Sequence, residues 1–355
     1  MNNDNFFRRQ PPGRLITAGF AAVILVGALL LCMPFSVRSG AEVSFIDALF
    51  TSTSAVCVTG LIGIDTAEHF TAFGQGLVAV LIQIGGLGVS SVGVGLMLAA
   101  GKRVSIKSRL LVKEALNIDN YRGIVRLVKA VLFMTVSFEA VGALLSFLVF
   151  SRDYEPLHAA GISIFHSVAA FNNSGFDILG GLRNLIPYQE NILLNFTTSF
   201  LILAGGLGFL VILDIGRHRR FKLLSFHSKI VIVTSAVLVA AGMFLLKWTE
   251  DISWLGAFFQ SVSARTAGFS TYPIGTFSNA GLFVLCILMF IGASPGSTGG
   301  GIKTSTFFVM IQAARSACTK RNVSAFHREI SQKNVSKACM ITVLSITVVC
   351  IATFF

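Results

Sequence analysis

Seven stretches of this chain run almost without charge: Leu15 to Phe35, Phe73 to Gly101, Ala130 to Phe150, Asn191 to Leu213, Ile230 to Leu246, Ala280 to Gly301 and Ala338 to Phe355. Each approaches or exceeds the roughly 20 apolar residues that a spanning helix needs. Composition agrees. The chain is 54% apolar and only 12% charged, whereas a soluble domain carries about 25% charged residues. The expected fold class is an all-α polytopic membrane protein.

The net charge of +12 would raise the question of nucleic acid in a soluble protein, but its distribution answers otherwise. Eight Lys/Arg lie between Lys102 and Lys129, five between Arg217 and Lys229, and six between Arg315 and Lys337, with Arg8, Arg9 and Arg14 at the start. The intervening polar stretches hold five basic against ten acidic residues. This alternation is the positive-inside bias, and it puts the N-terminus and the basic loops in the cytoplasm. No aromatic-interleaved basic face of the kind nucleic acid requires accompanies the charge, so no nucleic-acid partner is expected. The first apolar stretch is long and no small-x-small site follows it, which reads as an uncleaved anchor. The six cysteines show no CxxC pair and no His at metal spacing, so free thiols are expected.

Self-similarity carries more information. Phe50–Leu61 (FTSTSAVCVTGL), Phe165–Phe176 (FHSVAAFNNSGF) and Phe258–Phe269 (FFQSVSARTAGF) align without a gap, each with a Phe ten residues before a glycine. The glycines are Gly60, Gly175 and Gly268, and a second cluster follows each: Gly85–Gly88, Gly205–Gly208 and Gly292–Gly296. Each copy reads as a spanning helix, a short re-entrant helix (Ile46–Val56, Leu157–Phe171, Ser253–Ala264) and a returning helix. Irregular backbone at membrane depth is tolerated only where it lines a wet cavity or is buried in protein. Repeated helix–pore loop–helix units around a central pore, with about seven spanning helices and three re-entrant pore helices, follow from this reading. The expected organisation is 1–13 cytoplasmic, 14–101 first unit, 102–124 basic loop, 125–215 second unit, 216–229 basic loop, 230–314 third unit, 315–334 basic loop and 335–355 the opening helix of an incomplete fourth unit.

A dehydrated cation needs oxygen ligands, and rings of backbone carbonyls supply them in K⁺ channels. A residue without Cβ makes the required turn inexpensive. The positions before the glycines are Val58-Thr59, Asn173-Ser174 and Thr266-Ala267, small or polar residues that leave carbonyls open. Asp65, Glu68 and Asp177 stand nearby, either to concentrate cations or as ordinary loop charge.

These segments, the paired GGLG runs and above all Gly292–Thr304, GASPGSTGGGIKT, resemble the Ktr/Trk/HKT superfamily of potassium transporters. The start of the first helix near residue 14 is most similar to the Ktr-type B, pore-forming subunit. The resemblance covers nearly the whole chain and implies a K⁺ filter built from Val58, Thr59, Gly60, Asn173, Ser174, Gly175, Thr266, Ala267 and Gly268. It implies K⁺ as the permeant ion with no covalent cofactor, and leaves room for Na⁺ as an activator. It also implies a homodimer in the lipid of the cell inner membrane, docked on a ring of cytosolic nucleotide-binding regulatory subunits (Ktr-type A). In that family four units surround one pore, whereas a fourth unit here begins near Val335 and the chain stops at Phe355. Truncation or a separate completing fragment is the expectation, and the chain as given is not expected to close a four-fold filter.

Six Gly/Pro within ten residues from Gly292 break the third returning helix on propensity alone, since an interior Gly costs about 1 kcal/mol and Pro about 3. By resemblance Ser294, Pro295, Gly296, Ser297, Thr298, Gly299, Gly300, Gly301 and Lys303 form a gate beneath the filter. The run mimics a phosphate loop, but Ile302 separates Gly301 from Lys303, where that motif wants the lysine directly after the glycine. Three ionisable residues lie at membrane depth. Glu139 is expected to pair with a hydroxyl or basic group between helices. Arg265 is expected to point behind the filter to pore-helix carbonyls. Lys303 either reaches the cytoplasmic end or sits as a tethered charge under the pore. The alternative function is a secondary transporter of another small solute or Na⁺ using a broken midplane helix, although such folds usually carry inverted repeats and these units share one orientation. Nothing in the spans suggests an enzyme: no HExxH and no paired acidic motif sits in a span.

Overall fold

A computed structural model describes residues 11–101, 104–115, 123–319, 322–326 and 328–354. Parts of the expected basic loops, including Lys102, Arg103, Arg122, Lys320 and Arg321, and the N-terminal Arg8 and Arg9, lie outside the described residues. The rest is overwhelmingly helical, with one small hairpin pairing Ser324–Ala325 to Arg328–Glu329 that the sequence pattern did not announce. A ten-residue helix, Ile106–Ala115, also lies in the first basic loop.

Among the described residues four helices are long and apolar enough to cross a membrane unbroken: Pro12–Leu31, Ile124–Phe150, Phe226–Thr249 and Gln332–Phe354. At 1.5 Å per residue they are about 30 to 40 Å long. The expected break in the third returning helix is joined by breaks in the first two. The first returning helix, Ala72–Leu87, bends by 105° into Val89–Ala99, and the second, Ile192–Leu207, bends by 98° into Phe209–His218. Gly88 and Gly208 sit at the corners with φ of +81° and +92°, a conformation open to glycine and costly for other residues. The third, Asn279–Phe290, stops after 12 residues and gives way to irregular chain until Thr304–Thr319 begins. All three returning helices therefore break, not the third alone.

The short helices occur close to where they were expected, at Phe45–Val56, Pro156–Phe171 and Trp254–Ser263. Ser44 caps the first through a capping box with Asp47, and Ser253 caps the third by accepting from the Gly256 amide. Each short helix is wedged between its unit's two longer helices by one repeated contact. Ser52 Oγ donates to the Ile24 carbonyl at 2.8 Å, Ser167 Oγ to Glu139 at 2.7 Å and Ser261 Oγ to Val239 at 2.8 Å. Three residues beyond each acceptor stands a glycine (Gly27, Gly142, Gly242), whose missing Cβ leaves room for that hydroxyl and for a leucine of the returning helix (Leu81, Leu201, Leu288).

This contact exposes an offset in the third copy. Counting from the equivalent serines, the turn glycine comes eight residues on in the first two units (Ser52 to Gly60, Ser167 to Gly175) and seven in the third (Ser261 to Gly268). The gapless alignment is thus off by one in its helical half. Phe259, fully buried, occupies the place of Phe50 and Phe165, and its neighbour Phe258 made the false match possible.

Between units, the first returning helix packs on the second short helix, and the second returning helix on the third short helix. The interior is lined with Ser, Thr and Asn side chains while large apolar residues such as Phe133, Leu157 and Trp248 cover the exterior, the last two more than 80% exposed. That inversion is what a multi-pass membrane protein with a polar centre requires.

The wedge contact makes a stability prediction. A Cβ at Gly142 would collide with Ser167 Oγ and Leu201, whereas Gly161, also helical, has open space around it. Gly142→Ala should destabilise by about 1–3 kcal/mol, and Gly161→Ala should be neutral or slightly stabilising. Thermal unfolding of the detergent-solubilised protein reads both; equal shifts would contradict the wedge.

Candidate functional site

Each short helix ends in a turn with the same backbone signature. The residue two before the glycine and the glycine itself both have positive φ: Val58 and Gly60 (54°, 74°), Asn173 and Gly175 (57°, 71°), Thr266 and Gly268 (112°, 85°). For Asn this is tolerable; for the β-branched Val58 and Thr266 it is a strained geometry, of the kind that costs about 1–3 kcal/mol and persists only where surroundings enforce it. The offset in the third copy is absorbed before Thr266, so the signature is kept.

The turns meet. A Cβ on Gly60 would overlap the Ser174 carbonyl oxygen, and a Cβ on Gly175 would overlap that of Ala267; Gly268 has only the Gly175 Cα nearby, at 3.7 Å. Successive units thus fit glycine against carbonyl, in chain order, and the carbonyl is each time that of the residue just before the next glycine. The C-terminal ends of the three short helices converge here too, which concentrates partial negative charge. All nine candidate filter residues are brought together, those of the second unit fully buried and Thr59 and Gly268 exposed.

Beneath the turns lies the glycine-rich stretch. Ser294 N donates to Gly206 O at 3.0 Å, Thr298 N to Gly205 O at 3.2 Å, and Phe209 N to Gly296 O at 2.9 Å. The third unit's irregular segment is therefore stitched to the break in the second unit's returning helix. Thr298 Oγ1 donates to Phe171 O at 3.0 Å and accepts from Asn173 Nδ2 at 2.7 Å. Gly299 abuts Thr266 so closely that a Cβ would overlap its hydroxyl. The segment's own closure comes from Ala293 N to Gly300 O at 3.0 Å and from the Ser294–Thr304 hydroxyl pair at 3.0 Å. Gly300 and Gly301 are exposed. A cavity of about 790 Å³ opens on the side of the basic loops, lined among others by Gly86, Pro295, Ser297, His227, Lys303 and Lys337.

The buried charges differ in part from expectation. Glu139 pairs with amides, not with a hydroxyl or a base. Its Oε1 accepts from Asn172 Nδ2 at 3.1 Å, and Asn172 also donates to Gln83 Oε1 at 2.8 Å. This knot joins the first and second units directly behind the second turn. Arg265 does point behind its turn, but to Ser235 Oγ and Gly292 O, both at 3.4 Å, and to no carbonyl of the short helices. Lys303 curls back to Gly299 O at 2.7 Å, tethering its charge at the segment. All six cysteines are free.

Sequence reasoning missed Gln83, Asn172 and Asn184. The last donates to Asp177 Oδ2 at 3.1 Å. Asp177 follows the second turn, and burial pushes its carboxyl up to about 6, with Asp65 adding to the rise and the Leu179 amide, Asn184 and Arg183 opposing it. Between the ordinary value of 3.8 and about 6 the native state holds a proton that the unfolded chain has lost. Stability should therefore fall as pH rises through that window and level off above it. Thermal midpoints across pH 4 to 8 should show this for the wild type and a flatter profile for Asp177→Asn; parallel profiles would contradict the buried carboxyl.

The family model described as TrkH, cation transport protein, matches residues 15–246 and 218–355. The chain is 39% identical to the potassium/sodium uptake protein NtpJ of Enterococcus hirae over 97% of this chain and 79% of that one. It is 38% identical to the Ktr system potassium uptake protein B of Vibrio alginolyticus over 96% of this chain and 77% of that one. The fold is similar to the crystal structure of the potassium transporter TrkH from Vibrio parahaemolyticus, with a TM-score of 0.71 at 20% identity over 93% of this chain and 68% of that one.

Proposed function

Since the chain belongs to the TrkH family of cation transport proteins, a family of transporters and not of enzymes, we propose that it carries K⁺ inward through a path lined by its glycine turns. The observation that carries this reading is the head-to-tail fit of Gly60 on Ser174 O and Gly175 on Ala267 O. Backbone oxygens brought together in a ring replace a cation's hydration shell. The short helices aim their negative ends at the same place. Val58–Gly60, Asn173–Gly175 and Thr266–Gly268 are then the filter segments. The names of the relatives, a potassium/sodium uptake protein and a Ktr system potassium uptake protein, support K⁺ as the ion.

In this reading Ser294–Gly301 with Lys303 is the gate. It stands between the turns and the cavity, its fold rests on a few backbone hydrogen bonds, and its glycines make rearrangement inexpensive. The basic loops face the cytoplasm of a cell whose inner membrane holds the protein, with Na⁺ as a candidate activator. The described parts of the second and third loops are built surfaces. Asp214 accepts from His218 Nδ1 at 2.7 Å and from Ser225 N at 2.9 Å, fixing the turn that carries Arg217, Arg219 and Arg220. Arg328 of the hairpin lies over the Phe226 ring at 5.9 Å. An ordered basic face of this kind suits a cytosolic nucleotide-binding regulatory subunit beneath a homodimer of this chain. Anionic lipid, worth about 1 kcal/mol per basic residue near the surface, is the other use of those charges.

The filter reading is tested by serine substitution. Gly60→Ser and Gly175→Ser add an overlap with a carbonyl to the positive-φ penalty, whereas Gly268→Ser meets only the backbone penalty, of about 1–2 kcal/mol. All three should lower K⁺/Na⁺ discrimination in uptake assays of the full-length protein, the first two more than the third. Correctly inserted variants with unaltered discrimination would defeat the assignment.

A further inference from the structure

The stretch Gly180–Leu185, in the loop after the second turn, touches the exits of all three turns. On the first unit's side, Leu182 N donates to Asp65 Oδ2 at 2.9 Å and Gly181 N to Glu68 Oε1 at 3.2 Å; Asp65 stands five residues past Gly60 and caps the short helix Thr66–His69. On its own unit's side, Asn184 Nδ2 donates to Gly175 O at 3.3 Å and to Asp177 Oδ2 at 3.1 Å. On the third unit's side, Asn184 Oδ1 accepts from Ser270 N at 3.0 Å, and Leu185 N donates to Ser270 O at 3.1 Å. Ser270 follows Gly268 by two residues, and its Oγ accepts from Gln260 Nε2 of the third short helix at 2.9 Å.

Asn184 is the centre of this brace. Its amide also accepts from Leu185 N at 2.9 Å, so both donors and both acceptor sites of the side chain are engaged. Its backbone is left-handed, φ 50°, a conformation Asn adopts more readily than most residues. It is the one side chain among those described that bonds both the carbonyl of a turn glycine and the chain leaving a different turn.

We propose that Asn184 is a positioning residue for ion selection: it holds the Gly175 carbonyl and the exit of the third turn at a fixed separation, and so sets the spacing of the oxygens on two sides of the path. This rests on the filter reading above and adds a residue to it that lies outside every turn. An amide is suited to the role because it donates and accepts at once. A carboxylate could keep the Ser270 contact but could not donate to Gly175 O, and it would face Asp177 with like charge.

The test is K⁺ and Na⁺ uptake by the full-length protein carrying Asn184→Gly, which keeps the left-handed backbone and removes the amide. The K⁺ concentration for half-maximal uptake should rise about tenfold, the effect of a lost structural hydrogen bond, and K⁺/Na⁺ discrimination should fall, with the maximal rate less affected. Asn184→Asp should lose discrimination in the same way, and it serves alone if the glycine variant fails to reach the membrane. A normal half-saturating concentration and discrimination in either inserted variant, or a fall in maximal rate alone, would overturn the proposal. Gly175→Ser, assayed in parallel, separates the two levels. If it too leaves discrimination untouched, the filter reading fails; if it abolishes discrimination while the Asn184 variants do not, only the brace fails.

Discussion

A backbone carbonyl that faces a neighbouring glycine where any other residue would carry a Cβ is the contact on which the rest of this structure depends. It occurs between the first and second turns and again between the second and third. Each occurrence requires a left-handed glycine, a preceding residue forced to positive φ, and a short helix that delivers the chain at the right height. The Ser–Gly–Leu wedge provides that height. Because the wedge repeats with the same atoms in three units, the turns arrive level with one another despite sharing little sequence between the wedge and the glycine. Strain at Val58 and Thr266 is then a consequence of convergence, held by the packing around it.

The breaks in the returning helices follow from the same constraint. Gly85, Gly205 and Gly292 stand four residues after Leu81, Leu201 and Leu288. In the first two units the glycine lies against the last carbonyl of a short helix, Val56 O and Phe171 O. A helix that must approach another backbone so closely uses glycines, and a glycine-rich stretch at that depth is where the axis turns. In the third unit Pro295 occupies the place of Gly88 and Gly208, and the chain unwinds altogether. The unwound segment finds its partners on the second unit, at Gly205, Gly206, Phe171 and Asn173. A mobile element at this place would report directly to the turns above it.

Much of this was legible in the sequence because it is local or periodic. The apolar runs, the alternating basic loops, the three Phe-to-Gly strings and the concentration of breakers after Gly292 each state their structure in adjacent residues. What was not legible is relational. The GGLG runs read as part of continuous helices, since one short glycine cluster in an apolar stretch does not by itself end a helix; their bends depend on carbonyls more than 25 residues earlier in the chain. The one-residue offset of the third copy was hidden by the Phe258-Phe259 doublet, which satisfied the string with the wrong ring. Glu139 could be flagged as a buried charge, but its amide partners come from two other segments. Asn184 gave no signal at all, being one asparagine in a polar loop whose second anchor, Ser270, lies 86 residues away.

The central claim is that carbonyl oxygens of the three turns face one ion path. It is tested most directly by locating a heavy congener of the ion, Rb⁺ or Tl⁺, by anomalous diffraction from crystals of this protein. The account predicts anomalous density within coordinating reach of the Thr59, Ser174 and Ala267 carbonyls, displaced when K⁺ is added in excess. Density confined to the bends at Gly88 and Gly208, with none among the turns, would contradict it and place the transported ion at the broken helices instead.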